Sequence, residues 1–219
     1  MKRILIYFGL TIAVIFSMGC KKEGEQRSYF STPQEAANKA KNDLLTVLRS
    51  RKDIAFGLEE QTIEKSQPAG LIRQFQITFE DLASADSFTA LRQNELTTIV
   101  PLVADGAITT VVGLAKSEAG WRVASLADKS LASELDVVRK AVGPATQIVI
   151  YNLPHSGGKV YAAMQPATAG AGTMLYTNYR GFNLREPAPA ERLLPVLKQD
   201  AAEFQRKYGD ELKRQRLVR

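Results

Sequence analysis

The chain is poor in the residue types that build disulfides and metal sites. Among its 219 residues there is one cysteine, Cys20, and one histidine, His155. A single cysteine excludes a disulfide within one molecule, and the two counts together exclude multi-histidine and cysteine-cluster zinc sites. The sequence also lacks a Walker phosphate loop and a complete GxGxxG pattern. We therefore expect no metal ion and no nucleotide or other cofactor.

The chain also lacks an apolar run long enough to cross a membrane. Its N-terminal run, residues 4–16, holds thirteen residues without a charge, whereas a spanning helix needs about 20. Lys2 and Arg3 precede this run, and small or uncharged residues separate it from Cys20. The arrangement is typical of a secretory signal peptide, so we predict that residues 1–19 are removed on export.

The residues around the single cysteine resemble the lipobox of bacterial lipoproteins. Gly19 matches the small residue before the cleavage site and Cys20 matches the modified cysteine, while Ser17 stands where the family usually has leucine. The resemblance implies that Cys20 is diacylated and becomes the mature N-terminus. Several acyl chains anchor a protein firmly, which implies a lipid-anchored protein of the bacterial cell envelope, on its periplasmic or surface side. The alternative is an ordinary signal-peptidase site beside an incidental cysteine.

The charge of the mature chain argues against a nucleic-acid partner. The formal net charge is 29 − 23, or +6, and it becomes +4 once Lys2 and Arg3 leave with the signal peptide. Nucleic-acid binders usually concentrate basic residues on one face, and the export signal argues against contact with nucleic acid. We expect the membrane, bound through the N-terminal lipid, and an envelope protein as partners.

A polar tether over residues 20–30 leads into a globular α+β domain, which we place over residues 31–219. The apolar periodicities predict antiparallel β-meanders covered by amphipathic helices, with a long C-terminal helix. Predicted helices cover residues 33–51, 80–91, 128–142 and 190–216, and predicted strands cover residues 73–79, 96–104, 107–116, 121–127, 147–151, 159–164 and 173–176.

Three local signals support this assignment. Thr32 to Glu35 form a capping box at the first helix, and Asp105-Gly106 is the two-residue turn of a tight hairpin. Pro101 cannot donate to a strand ladder, so we expect it in an edge strand or at a bulge. A helix followed by a meander occurs twice, which allows two lobes, over residues 31–127 and 128–219.

The first lobe resembles the cystatin-like and NTF2-like small lipoproteins. The residues that carry the resemblance are Thr32 to Glu35 at the helix start and Gly120-Trp121-Arg122-Val123 in the last strand. It implies a curved sheet wrapped on a helix. It also implies one alternative function, a hydrolase or isomerase with a deep pocket lined by the meander of residues 96–127.

Two stretches carry candidate site residues. In the first, residues 155–159, Ser156 and Lys159 have the SxxK spacing of serine acyl-enzymes. The intervening glycines favour a hairpin loop over a helix, and His155 is poorly placed beside Ser156, so we predict no catalytic residue.

The second stretch is rich in aromatic and arginine side chains, which are enriched at binding hot spots. We predict a binding surface formed by Tyr176, Tyr179, Arg180, Phe182 and Arg185; the alternative places Tyr176 and Phe182 in the core.

The expected function is therefore that of a non-enzymatic binding or assembly module, acting through its sheet or its C-terminal helix. Besides the cavity enzyme, a third alternative concerns the apolar stripe from Leu194 to Leu212. In that alternative the stripe stays exposed until an oligomer covers it.

Overall fold

The computed structural model describes residues 28–51, 57–91, 94–164 and 173–216. The predicted signal peptide, Cys20 and most of the predicted tether lie outside these ranges. Within them, no helix combines the length and the apolar character that a membrane span requires.

The described residues form five α-helices and eight strands, which confirms the α+β class and the long C-terminal helix. The helices are α1 (Pro33–Ser50), α2 (Glu60–Lys65), α3 (Phe79–Ser84), α4 (Lys129–Val142) and α5 (Ala190–Arg216). The strands are β1 (Gln67–Pro68), β2 (Ile72–Gln76), β3 (Asn94–Ala104), β4 (Ala107–Ser117), β5 (Gly120–Ser125), β6 (Gln147–Asn152), β7 (Lys159–Met164) and β8 (Thr173–Tyr176).

The helix predicted over residues 80–91 is wrong in its extent. Thr78 caps α3 by accepting a hydrogen bond from the Asp81 N–H, and the helix ends at Ser84 because Ala85 has extended backbone angles. A separate single turn of 3-10 helix follows at Phe88–Ala90. Serine and aspartate compete with the helix backbone for hydrogen bonds, and this segment is rich in both.

All eight strands belong to one sheet with the order β5-β4-β3-β2-β6-β7-β8, and β1 pairs with the far end of β3. Every pair is antiparallel except β2 and β6, which run parallel with Phe75 opposite Tyr151. This parallel pair joins the two meanders. Residues 31–127 and residues 128–219 therefore contribute strands to a single continuous sheet.

Helices cover both faces of the sheet. Successive side chains of a strand point to opposite faces, and α4 packs on one face through Leu131, Leu135 and Val138. On the other face, α1 covers the β3–β5 meander and α5 covers β2, β6, β7 and β8. The architecture is three-layered, with the sheet in the middle.

The inner strand β3 accommodates Pro101 at a gap between its neighbours. The Pro101 carbonyl accepts a hydrogen bond from the Ala69 N–H at 2.8 Å, so its nitrogen faces the same side, where β1 has ended and β2 has not begun. Pairing with β4 continues on the other side, where Pro101 lies opposite Val111. The edge-strand expectation is wrong, and a bulge follows between Leu102 and Val103.

The cavity-enzyme alternative needs one face of the 96–127 meander as the wall of a pocket. That face is packed against α1. Three alanines of the helix allow this close approach. The side chains in this contact are at most 1% exposed, and they are Ala36, Ala37, Ala40, Val100, Leu102, Val112 and Leu114. The helix therefore occupies the position predicted for the pocket.

The first half of the apolar stripe of α5 packs against the protein's own core. Leu194, Leu197 and Ala201 are buried in the core that α5 shares with β2, β6, β7 and β8. Phe204 and Tyr208 are half-buried, and the Leu212 side chain lies outside the described part. From Leu194 to Ala201, the stripe is thus covered by the protein's own sheet.

We predict that Thr32→Ala destabilises the fold by about 1 kcal/mol, because it removes a helix cap. The Thr32 hydroxyl accepts from the Glu35 N–H at 3.2 Å, and the Glu35 carboxylate accepts from the Thr32 N–H at 3.3 Å. Thr46→Ala is the matched control, since Thr46 is exposed inside the same helix and alanine has the higher helix propensity. Urea denaturation measures both, and equal losses would contradict the assignment of the cap.

Candidate functional site

A groove forms where three segments meet: the loop of residues 153–158 between β6 and β7, the turn Tyr179–Gly181 after β8, and α5. Because β2 and β6 are parallel, the chain leaving each strand arrives at the same end of the sheet. The Ile77 N–H donates to the Asn152 carbonyl at 3.1 Å and extends the pairing. This brings Phe79, at the start of α3, to within 6.3 Å of His155, measured between ring centroids.

Hydrogen bonds centred on Asp200 join the three segments. The Tyr179 hydroxyl lies 2.6 Å from Asp200 Oδ2 and 2.9 Å from His155 Nε2. Arg180 forms a two-point ion pair with the same carboxylate, from Nε at 2.9 Å and from Nη2 at 3.1 Å. The Asp200 side chain is only 13% exposed, while that of Arg180 is 63% exposed. Asp200 therefore holds the turn against α5, with the guanidinium at the surface.

The turn itself adopts an unfavourable backbone conformation. Arg180 has φ 50° and ψ 43°, a left-handed conformation that costs energy for any residue with a Cβ. Gly181 follows with φ 87°, which glycine tolerates. The ion pair with Asp200 fixes Arg180 in this conformation, so backbone strain is maintained where the turn presents its side chains to the groove.

The same turn is also fixed to the helix on the opposite face of the sheet. Asn178 donates to Glu134 Oε1 at 3.1 Å, and the Tyr161 hydroxyl donates to Glu134 Oε2. Tyr161 is completely buried, and burial together with its bond to Glu134 raises the pKa of its hydroxyl far above the usual range. The turn is thus held by α4 on one side and by α5 on the other.

Aromatic rings form one wall of the groove. Phe204 stacks on Phe79 with ring centroids 5.8 Å apart and an angle of 14° between the planes. Tyr208 lies 5.0 Å from Phe204, and His155 lies 6.3 Å from it. The Lys207 ammonium sits 5.1 Å from the centre of the Tyr208 ring. His155, Phe204 and Tyr208 therefore line the groove as one aromatic wall, and Phe79 of α3 supports it by stacking on Phe204.

The groove is open to solvent and has a volume of about 250 Å³. A cavity of about 150 Å³ holds benzene, whereas sites for drug-sized ligands measure about 300–1,000 Å³. The groove therefore fits one ring-sized group. The residues that line it are His155, Ser156, Tyr179, Arg180, Asp200, Glu203, Phe204, Lys207 and Tyr208.

Burial dominates the electrostatics of the two rings in the network. It lowers the pKa of His155, an effect that Asp200 opposes and Arg180 reinforces. Burial also raises the pKa of the Tyr179 hydroxyl, as does its hydrogen bond to Asp200, while the hydrogen bond with Arg180 lowers it. At neutral pH the groove therefore holds a neutral imidazole and a protonated phenol beside the Arg180–Asp200 pair.

The loop of residues 155–159 does not assemble a serine nucleophile. The Ser156 hydroxyl accepts from the Gly158 N–H at 3.2 Å, and His155 Nε2 bonds to Tyr179 instead of to Ser156. Lys159 starts β7, where its ammonium lies 3.9 Å from Glu134. Ser156 thus has neither His155 nor Lys159 as a base.

The predicted binding surface is only partly brought to the groove. Tyr179 and Arg180 line it. Tyr176 is 2% exposed in the core beneath α4, and Phe182 packs against the core beneath α5. Arg185 is exposed in the following loop and is not among the groove residues. The five residues do not form one surface because Tyr176 ends β8 with its side chain on the α4 face of the sheet, and Phe182, beyond the turn, packs against the core on the α5 face.

Sequence reasoning missed the groove residues Asp200, Glu203 and Lys207 and the adjoining Phe79, and it treated Phe204 and Tyr208 only as part of an apolar stripe. Asp200 carried a usable signal. It lies three residues after Leu197 and four before Phe204, so it occupies a stripe position. A carboxylate on the buried face of a helix needs a hydrogen-bonding partner, which the turn provides here. No local signal connects Phe79 with the groove.

Within the four described ranges, no three acidic, cysteine or histidine side chains are placed to bind a metal ion. Comparisons with protein-family models, curated proteins and solved structures find no match for this chain. Function is therefore inferred from the geometry of the groove and from the sequence.

We predict that Tyr179→Phe lowers the free energy of unfolding by about 1 kcal/mol, because a hydrogen bond to a half-buried carboxylate is lost. Tyr176→Phe is the matched control. The Tyr176 hydroxyl contacts the Met174 sulfur at 3.7 Å, so its removal should change stability by less than about 0.5 kcal/mol. Urea denaturation compares the two variants, and a neutral Tyr179→Phe would show that the network does not hold the turn.

Proposed function

We propose that this protein is a lipid-tethered, non-enzymatic binding module of the bacterial cell envelope, and that its groove holds one ring-sized side chain of a protein partner. The observation that carries the proposal is the open aromatic groove, whose walls come from three segments fixed by the Asp200 network. The signal peptide and the lipobox resemblance at Cys20 support the location.

The groove presents an aromatic surface, and its polar groups are engaged with one another. Proton transfer needs a donor or acceptor within hydrogen-bond reach of a substrate. The Tyr179 proton is donated to Asp200, and the Asp200 carboxylate is occupied by Tyr179 and Arg180. His155 Nδ1 is buried, and Ser156 is hydrogen-bonded to neither His155 nor Lys159. Aromatic area remains available, which favours recognition.

The charges around the groove favour a protein partner over a strongly charged small ligand. Two cations, Arg180 and Lys207, are balanced by two anions, Asp200 and Glu203. Arg180, Glu203 and Lys207 are exposed, so they form a polar rim of both signs around an aromatic centre. Protein interfaces commonly have this organisation, with an aromatic anchor inside a polar rim.

The start of the described chain indicates how a lipid anchor would orient the domain. Phe30 pairs with Trp121 on the edge strand β5, with N–O distances of 2.7 and 2.9 Å. Gly120 permits this approach, since a Cβ there would lie 2.6 Å from the Phe30 carbonyl oxygen. Six strand spacings of about 4.8 Å, or about 29 Å in total, separate β5 from β8. A lipid anchor at Cys20 would then join the domain at the β5 edge, and the groove lies in the other half of the sheet.

The anchor is tested with Cys20→Ala in a bacterium that processes lipoproteins. We expect the mature wild-type protein to carry acyl mass and to sediment with membranes, and the variant to lose both. Mass spectrometry and membrane fractionation measure this. A wild-type chain that begins near Lys21 and stays soluble would contradict the anchor.

The groove is tested by photo-crosslinking in cells of the source organism. A photoreactive amino acid at position 207 lies on the groove rim, and one at position 118 lies in the exposed turn between β4 and β5. We expect position 207 to form a discrete adduct with an envelope protein and position 118 to form none with that protein. The same adduct from both positions, or none from position 207, would contradict the proposal.

A further inference from the structure

The hydrogen-bond geometry fixes which nitrogen of His155 carries the proton. The Tyr179 hydroxyl has one proton and lies 2.6 Å from Asp200 Oδ2 and 2.9 Å from His155 Nε2. Its hydrogen bond with Arg180 does not use that proton, because a guanidinium only donates. A carboxylate can only accept a hydrogen bond, so the phenol donates to Asp200. His155 Nε2 must then donate to the Tyr179 oxygen. A neutral imidazole has one N–H, and Nδ1 therefore carries the lone pair.

The second ring nitrogen has no place for a proton. His155 Nδ1 is buried and has no hydrogen-bond partner among the described residues. The rings of Phe79 and Phe204 lie beside the imidazole, each with its centroid 6.3 Å away. Protonation would create a buried N–H donor without an acceptor, which is costly. The neutral ring fits this site and the imidazolium does not.

The charged groups around His155 do not compensate for that cost. The turn contributes Tyr179 and Arg180, and α5 contributes the groove residues Asp200, Glu203, Lys207 and Tyr208. Asp200 is the anion that favours the imidazolium, but Arg180 already pairs with it and opposes a second positive charge. On α3 the neighbouring ring is Phe79, and the Asp81 carboxylate of that helix accepts from Thr78 at 2.8 Å.

We propose that His155 is a proton-operated latch, which holds the loop of residues 153–158 against α5 while the imidazole is neutral and releases it in mild acid. As a regulator of binding, the latch rests on the proposed function of the groove. The loop can open without breaking a strand, because Gly157, with φ 65°, and Gly158 separate His155 from β7. Opening breaks one backbone hydrogen bond, from the Leu153 N–H to the Gly158 carbonyl at 2.9 Å. Release would remove the His155 side of the groove.

The direction of the pH dependence follows from the site. The pKa of His155 in the folded protein is lowered from the ordinary value of 6.5, chiefly by burial. The unfolded chain therefore binds more protons than the folded protein as the pH falls below about 6.5. Above that pH the imidazole is neutral in both the folded and the unfolded protein, so His155 does not lower the stability. The folded loop loses stability from about pH 6.5 downward, until the folded protein has also taken up the proton.

The test is an NMR titration of full-length mature protein in detergent micelles. His155 is the only histidine, so its imidazole signals need no assignment. We expect the Nε2–H tautomer at pH 7.5 and a titration midpoint below 6.5. After protonation we expect roughly tenfold faster exchange, corrected for intrinsic rates, of the hydrogen-bonded loop amides of Leu153 and Gly158. Amides of β5, at the far edge, should not change. A midpoint at or above 6.5, the Nδ1–H tautomer or an unchanged loop would overturn the latch.

His155→Phe separates the latch from the binding function, because it keeps a ring in the aromatic wall but cannot be protonated. Its loop should stay protected at both pH values. Crosslinking from position 207 should fall several-fold between pH 7.5 and 5.5 in wild type and stay constant in His155→Phe. If that variant does not fold, Tyr179→Phe replaces it, and loss of the single-tautomer signal at pH 7.5 is the expected result.

The outcomes separate the two proposals. A low midpoint and an opening loop, with no adduct at any pH, would support the latch and contradict the binding function. An adduct whose yield does not depend on pH, with a loop that stays closed, would overturn the latch alone.

Discussion

The parallel pairing of β2 with β6 is the interaction on which the rest of the structure depends. It joins two antiparallel meanders into one sheet, with Arg73 to Gln76 aligned beside Val149 to Asn152. Both strands run toward the same end, so the segments that follow them arrive together. Phe79 and His155 are neighbours for this reason, and without the pair the aromatic wall would lose the ring that supports Phe204 and His155.

The buried first half of the C-terminal helix packs on the sheet and so positions the second half, which completes the groove. Leu193, Leu197 and Ala201 anchor α5 on the sheet. Phe204 lies one turn beyond this buried segment and reaches the rings of Phe79 and His155. Asp200 lies within it and holds the turn after β8. A single helix thus covers a core, positions an ion pair and lines a groove.

Local features of the fold could be predicted from sequence because their causes are local. The capping box at Thr32 is present, and Asp105 and Gly106 have the positive φ values of 51° and 78° that a tight hairpin turn requires. The parallel pair could not be predicted. Its strands lie more than seventy residues apart, and an apolar pattern indicates that a strand is buried without indicating its neighbour.

The candidate site was predictable only in pieces. His155, Tyr179 and Arg180 were each singled out, but as two separate stretches, because only the fold shows that Asp200 connects them. Tyr176 and Phe182 were misplaced for a related reason. Composition marks aromatic residues as candidates for binding, but their burial depends on the sheet face that Tyr176 occupies in β8 and on where the chain carries Phe182 after the turn.

The most direct test of this account is a two-dimensional NOESY spectrum of the protein at neutral pH, observed from the ring protons of its single histidine. We expect cross-peaks from His155 to the ring protons of Phe79, Tyr179 and Phe204, which belong to three different elements. Cross-peaks confined to residues of its own loop would show that the two meanders do not meet at this end of the sheet, and the groove would not form.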